Sequence, residues 1–353
     1  MITNEQYVLS RRFRSGLSII LNRPQAINSL SETMIDRIDG LLSEAQADEQ
    51  CLFVLFYSNT PKGFCAGGDV KELARLGRMK KFDQVDSFFR KEYGLDLRIH
   101  LFPKPVIAIA DGITMGGGLG IAAGAGISIA TERTRMAMPE TRIGFFPDVG
   151  STGWMFERCP KGYPEYLGLT GYDMKGNECV RLGFATHFMK SENIPRLIDM
   201  LENDVLESEQ DKAEIMRKLL EKVSVLLDSH IPVNAVMDAW VEKYFAGKSD
   251  INEVLTSLSQ CYEQEDHCNE VFINIAERSP TALVLTLKLL RHNEGRSIAD
   301  VLATELKAAK FITRHPDYIE GIRARLVDRD NKPKWKPGHI DLVDPSRFKF
   351  LRE

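Results

Sequence analysis

The stretch Gly112-Ile-Thr-Met-Gly-Gly-Gly-Leu-Gly-Ile-Ala-Ala-Gly-Ala-Gly-Ile-Ser-Ile-Ala130 carries no charge over 19 residues, and seven of them are glycine. Its length approaches the ~20 residues that span a bilayer. Its composition argues against a span, because large apolar side chains are few and Asp111 and Glu132 bracket it tightly. It reads instead as buried, closely packed backbone: a turn and helix over Gly116 to Gly124, then a strand from Ile127 to Ala130. Immediately before it, Val106 to Ala110 is a short apolar run between Pro105 and Asp111, the pattern of a strand covered on both faces.

Working outward, the same alternation continues toward the N-terminus. Leu52 to Tyr57 is another buried strand, followed by a loop from Ser58 to Gly68 and helical segments near Val70 and over Phe82 to His100. Ser29-Leu30-Ser31-Glu32 has the form of a capping box opening a helix to about Ala47. Gln6 to Phe13 and Leu17 to Leu21 alternate as strands around a Ser15-Gly16 turn. The order strand, helix, strand, helix, strand implies an α/β layer with crossover helices. Beyond Gly150 the strand signal fades. Helical patterns cover Asn193 to Asn203, Ser208 to Leu226, Pro232 to Phe245, Ile251 to Glu265, Glu270 to Glu277, Thr281 to Leu290 and Ile298 to Thr313. The tail from Asp328 to Glu353, with Pro333, Pro337 and Pro345 and many charges, reads as an extended surface segment. The division expected is residues 1–190 for the core and 191–353 for a helical C-terminal region with its tail. No internal repeat is visible.

Composition sets limits. The 353 residues hold 46 Lys plus Arg against 50 Asp plus Glu, a net charge of −4, with 43% apolar and 27% charged residues. That excludes disordered and collagen-like chains and offers no global field for nucleic acid. The charge runs Arg78 to Lys81 and Arg323 to Arg329 read as solvated faces. Six cysteines at 51, 65, 159, 179, 261 and 268 form no CxxC pair and are too sparse for a disulfide framework, so reduced thiols are expected. Met1 to Arg14 has no apolar run before its arginines, which points to a cytoplasmic protein, or to the mitochondrial matrix if a leader has been removed.

Two glycine-rich loops follow apolar strands: Phe64-Cys-Ala-Gly-Gly-Asp69 and Met115-Gly-Gly-Gly118. Glycine there lets a backbone N–H approach a ligand, and two such loops in one site supply the pair of donors that an oxyanion hole needs. Each loop taken singly also fits a plain packing turn. Gly118-Leu-Gly-Ile-Ala-Ala123 matches a dinucleotide fingerprint, but the expected acid lies ~20 residues on, whereas Glu132 follows Gly120 by only 12. A helix and a strand hardly fit in that gap. No P-loop, nucleophile elbow or zinc spacing occurs, so no metal is expected. Glu140 and Asp148 sit in an otherwise largely apolar segment bounded by Pro and Gly, where desolvation raises a carboxyl pKa and suits it to acid, base or nucleophile work. The alternatives are an N-cap role for Asp148 and a paired surface acid at Glu140.

Leu21-Asn-Arg-Pro24 with Asn28-Ser-Leu30, Gly63-Phe-Cys-Ala-Gly-Gly-Asp69, Gly112-Ile-Thr-Met-Gly-Gly-Gly118, Pro139-Glu140 and Pro147-Asp-Val-Gly150 together resemble the enoyl-CoA hydratase/isomerase (crotonase) superfamily. Within it, Ala137-Met-Pro-Glu-Thr, Gly144-Phe-Phe-Pro-Asp-Val-Gly150 and Asp328-Arg-Asp-Asn-Lys-Pro-Lys-Trp335 are most similar to the 3-hydroxyisobutyryl-CoA hydrolases. The resemblance implies a spiral of ββα units and a thioester carbonyl held by the N–H groups of Gly68 and Gly117. The glutamate that hydratases carry two residues after the glycine triplet is replaced by Gly120, which disfavours water addition. By the same resemblance, Glu140 and Asp148 are catalytic and Glu92 contributes to the substrate site together with Gly117, Glu140 and Asp148. The implied reaction is hydrolysis of a short branched 3-hydroxyacyl-CoA, as in valine catabolism, with CoA as part of the substrate and no separate cofactor. The implied assembly is a possible homo-oligomer, with neither nucleic acid nor membrane as partner. The rival readings are hydration or isomerisation on the same fold, and a non-catalytic CoA-ester or RNA binder.

Overall fold

The computed structural model describes residues 7–203, 206 and 211–351. Its strands are β1 (Val8–Phe13), β2 (Gly16–Leu21), β3 (Phe53–Ser58), β4 (Gly63–Cys65), β5 (Val106–Ala110), β6 (Ile113–Met115), β7 (Ile127–Ala130), β8 (Arg135–Ala137), β9 (Met174–Lys175), β10 (His187–Met189) and β11 (Leu227–Asp228). A seven-stranded sheet has the order β1-β2-β3-β5-β7-β10-β11, and a four-stranded sheet the order β4-β6-β8-β9. In the large sheet β2 to β10 run parallel, and only the β1–β2 and β10–β11 pairs are antiparallel.

Parallel strands covered on both faces need continuous apolar sequence, which β3, β5 and β7 have. One face of the sheet packs Leu55, Ile107, Ile109 and Ile129 together with Leu197 and Leu201 of the Ile194–Glu202 helix and Ile215 and Leu219 of the Lys212–Val223 helix. Strands β3, β5 and β7 enter the large sheet, while β4, β6 and β8 that follow each of them enter the small one. Helices follow β4 and β6, so the chain does advance in a repeating ββα step. The step is one of geometry, carried by different residues each time, which is why no repeat is visible in the sequence.

Two compact units interleave along the chain. The first comprises residues 1–68, 94–136 and 174–233, and the second residues 69–93, 137–173 and 234–353. This division differs from a single boundary near residue 190, because segments far apart in sequence pack together. The first unit holds the large sheet. The second is mainly helical, and its helices include Ser151–Arg158, Tyr163–Thr170, Pro280–Asn293, Ile298–Ile312 and Pro316–Ile322.

Several local expectations are corrected. The first helix is Glu32–Ala47, and its N-cap is Ser31, whose side chain accepts from Met34 N, so Ser29 caps nothing. Leu30 instead pairs with the first glycine loop through Leu30 N to Gly67 O at 2.8 Å, which keeps the chain extended one residue further. Strands β10 and β11 lie beyond the point where the strand signal fades; with three and two residues they are too short to show a period. The helix expected from 208 is described from Lys212, and residues 207–210 lie outside the described residues. The helix expected over Ile251 to Glu265 stops at Ser259, and another begins at Glu265. Cys261 and Cys268, in and after that break, form a disulfide with Cα atoms 6.3 Å apart, against the expectation of reduced thiols throughout. The turn between the helices brings together two cysteines whose sequence spacing matches no short motif. Among the described residues no helix is long and apolar enough to cross a membrane. The uncharged stretch from Gly112 is divided into β6, the Gly117–Gly124 helix and β7.

Candidate active site

The glycine loops lie together in the first unit. The loop after β4 is fixed by Ala66 N donating to Ile27 O at 2.9 Å and by the parallel bridge of Gly68 with Leu30. Asn28, fully buried and left-handed at φ 55°, supports it: Nδ2 donates to Phe64 O at 2.9 Å and to Ser58 Oγ at 2.8 Å, and Oδ1 accepts from Arg23 N at 2.6 Å. A Cβ added at Gly67, whose φ is +96°, would lie 3.1 Å from Met115 O and 3.5 Å from Gly117 N. The two loops therefore touch backbone to backbone. Gly117 opens the Gly117–Gly124 helix, and a first-turn N–H has no acceptor inside its own helix. Gly68 and Gly117 thus lie on neighbouring backbone turns, each without a side chain in the way.

Two further glycines of this helix exist for packing. A Cβ at Gly118 would stand 2.3 Å from Cys65 O, and one at Gly120 would stand 2.3 Å from Asp96 Oδ1. The dinucleotide-like motif therefore lies within the helix and serves close packing. A side chain at Gly120 would require the Asp96 carboxyl to move.

The carboxylates lie in the second unit. Pro139-Glu140 begins a 3-10 turn, Glu140–Ile143, ended by left-handed Gly144. The Pro316–Ile322 helix clamps this turn: a Cβ at Gly144 would meet Asp317 O at 2.3 Å, and one at Gly321 would meet the Ile143 carbonyl carbon at 2.3 Å. Beyond it, Phe145 stacks on Phe146 and on Phe89 and tilts against Tyr318. Pro147 then delivers Asp148 into the same apolar surroundings. Glu92, Tyr93, Glu140, Asp148 and Tyr318 are all buried. Tyr93 Oη donates to Asp148 Oδ2 at 2.8 Å. The helix that follows, Ser151–Arg158, has Gly150 as its N-cap with no side-chain cap, so the alternative of Asp148 as a side-chain cap does not hold. Nor is Glu140 a surface acid.

Burial pushes the carboxyls up, because the low-dielectric wall disfavours the charged form. Glu140 is raised well above the usual carboxylate range, first by burial and then by the charge of Asp148. Asp148 is raised by burial, against the hydrogen bond from Tyr93 that favours its ionised form. Tyr93 is raised well above its ordinary value by burial and by the charges of Asp148, Glu305 and Glu92. Two carboxyls raised by burial in one dry site are suited to hold or give up a proton, the property that acid or base chemistry calls for. Among the described residues Glu140 Oε2 and Tyr318 Oη are buried without a hydrogen-bond partner.

Glu92, Glu140 and Asp148 are thus brought into one electrostatic neighbourhood, and Gly68 and Gly117 into another. Tyr318 and Glu305 join this cluster without a motif that marks them in the sequence. Glu305 had a signal: it occupies a core position of the Ile298–Ile312 helix, in register with Val301, Leu302, Ala308, Ala309 and Ile312, where an acid is out of place. Tyr318 had a weaker one, the proline at the start of its helix.

The family model described as enoyl-CoA hydratase/isomerase matches residues 17–351. The 3-hydroxyisobutyryl-CoA hydrolase, mitochondrial, of Gallus gallus is 35% identical over 95% of this chain and 86% of that protein. Its Rattus norvegicus counterpart is 36% identical over 98% of this chain and 89% of that protein. Two solved structures are similar in fold, each covering 98% of this chain and 96% of the other. One is a carnitinyl-CoA dehydratase from Mycobacterium thermoresistibile, with TM-score 0.87 and 29% identity, and the other an enoyl-CoA hydratase from Rhodobacter sphaeroides, with TM-score 0.85 and 31% identity. The mixed α/β spiral with its helical C-terminal part is the crotonase fold, and the chain belongs to the enoyl-CoA hydratase/isomerase family.

Proposed function

We propose that the chain hydrolyses the thioester of a short branched 3-hydroxyacyl-CoA, namely 3-hydroxyisobutyryl-CoA to 3-hydroxyisobutyrate and CoA, as in valine catabolism. The observation that carries this reading is the buried pair Glu140 and Asp148, both raised by burial and Glu140 further by the charge of Asp148, in a chain with glycine at position 120. Water addition by two glutamates calls for a carboxyl at that position; hydrolysis does not. The curated relatives are hydrolases by name, which supports the same choice.

In the proposed chemistry the N–H groups of Gly68 and Gly117 donate to the thioester oxygen as it gains negative charge. One such donor is typically worth ~3 kcal/mol. Glu140 supplies the nucleophile, either its own carboxylate oxygen, forming a mixed anhydride, or a water that it deprotonates. Asp148, steadied by Tyr93, orients the substrate hydroxyl or returns the proton to the departing thiolate. Glu92 adds to the substrate pocket. Acid, base and charge stabilisation all come from the chain, so no cofactor enters apart from the CoA of the substrate. The relatives are named mitochondrial, and the same compartment is proposed for this chain beside the cytoplasm; a homo-oligomer, implied by the family resemblance alone, belongs to the same proposal.

A thiol-release assay over 3-hydroxyacyl- and enoyl-CoA esters tests the reading. Free CoA from 3-hydroxyisobutyryl-CoA supports it; loss of enoyl absorbance without thiol identifies a hydratase instead, and ester binding without turnover a binding protein. Turnover in ¹⁸O-water separates the two roles of Glu140, since only the anhydride route leaves label in its carboxyl.

A further inference from the structure

Glu305 is fully buried in the middle of the Ile298–Ile312 helix and faces the turn that follows Asp148. That turn is left-handed at two successive residues, Val149 at φ 54° and Gly150 at φ 80°. A β-branched residue in this region is strained and persists only where its surroundings hold it. The surroundings are specific. Gly150 N donates to Glu305 Oε2 at 2.7 Å, Thr152 N to Oε1 at 3.3 Å and Thr152 Oγ1 to Oε1 at 2.6 Å. Asn293 Nδ2 donates to Thr152 Oγ1 at 2.8 Å, which leaves the hydroxyl hydrogen for Glu305. The helix that brings Glu305 packs closely on this turn: a Cβ at Gly150 would lie 2.5 Å from Ile298 Cδ1, and one at Gly153 2.5 Å from Val301 Cγ2.

We propose that Glu305 is a positioning residue for the Glu140/Asp148 pair, holding through Gly150 and Thr152 the strained turn that presents Asp148, and acting as a third carboxyl in the same dry cluster. The inference rests on the hydrolase reading for its kinetic test, but its geometry does not depend on the substrate. The Ser151–Arg158 helix lacks a side-chain N-cap of its own, and Glu305 takes that place from another helix, where a carboxyl also suits the positive end of the dipole. The titratable groups that face Glu305 are Asp148 and Tyr93, with Glu140 coupled in through Asp148. Burial raises Glu305 to about 8, opposed by the Thr152 hydrogen bond and assisted by the charge of Asp148. Its ionisation places another negative charge beside Asp148.

The test compares the full-length protein with Glu305→Gln and Glu305→Ala, measuring kcat and KM for 3-hydroxyisobutyryl-CoA from pH 6 to 9.5. Glu305→Gln is expected to keep KM within about 2-fold, lower kcat about 10-fold and lose the alkaline inflection near pH 8, with Glu305→Ala about 100-fold down in kcat. A purely structural glutamate would leave the pH profile in place. Wild-type kcat and an unchanged profile in Glu305→Gln overturn the proposal. If the wild-type protein releases no thiol from any ester, it is the hydrolase reading that fails, and a ¹³C-carboxyl titration of Asp148, assigned with Asp148→Asn, then decides this inference alone. A second inflection of the Asp148 signal near pH 8 that vanishes in Glu305→Gln sustains it, and identical titrations overturn it.

Discussion

The glycine loops and the acid cluster solve different problems with different materials. Around Gly67, Gly68 and Gly116 to Gly118 the surface is backbone, and its close packing comes from the absence of side chains. Around Glu140 and Asp148 the proposed working groups are side chains, gathered from the Phe82–His100 helix, the Glu140–Ile143 turn, the Asp148 turn and the Ile298–Ile312 helix. The first region has little to titrate and fails by steric intrusion. The second fails by a change of charge.

The largest effect expected is in the second region. Glu140→Gln keeps the shape and removes the charge, and kcat is expected to fall about 10³-fold, with CoA-ester affinity measured by calorimetry unchanged within about 3-fold. Unchanged thiol release would remove Glu140 from the mechanism. Next comes the first region: Gly118→Ala drives a methyl into Cys65 O, which nothing can move aside, so a loss of about 3 kcal/mol is expected in denaturant unfolding. Asp148→Asn keeps the size of the group and its contact with Tyr93 but holds no negative charge, and kcat is expected to fall about 10²-fold with little loss of stability. Full activity in that variant would show that the turn itself is what matters.

A last check is the pH dependence of stability. Glu305 has a folded value of about 8 against an ordinary 4.5, so the native state binds more protons than the unfolded chain between those limits. Its contribution therefore weakens as pH rises through that window. Thermal melts from pH 5 to 9 are expected to show a steeper decline for the wild type than for Glu305→Gln; equal slopes would remove the ionisation from the account.

The glycine loops were legible because their geometry is local. A strand followed by Ala-Gly-Gly or Gly-Gly-Gly declares a close backbone approach within a few residues. Glu140 and Asp148 were legible as unusual acids in apolar sequence, but whether they were buried together or one capped a helix was undecided. That depended on Gly321 and Gly144 letting the Pro316–Ile322 helix close onto the Glu140–Ile143 turn, nearly 180 residues away in the chain. The disulfide between Cys261 and Cys268 escaped notice for a related reason: a helix break, not a motif, brings the two sulfurs together.

By itself the sequence determined the strand-and-helix order of the first half, the glycine turns and the pair of acids, because each is set by neighbours within one or two turns of chain. Only the tertiary structure showed that Gly120 packs directly against the Asp96 carboxyl and that Glu305 supports the turn at Asp148. Those outcomes turn on which surfaces exclude water from which polar groups, and exclusion of water is a property of packed segments that no single segment carries.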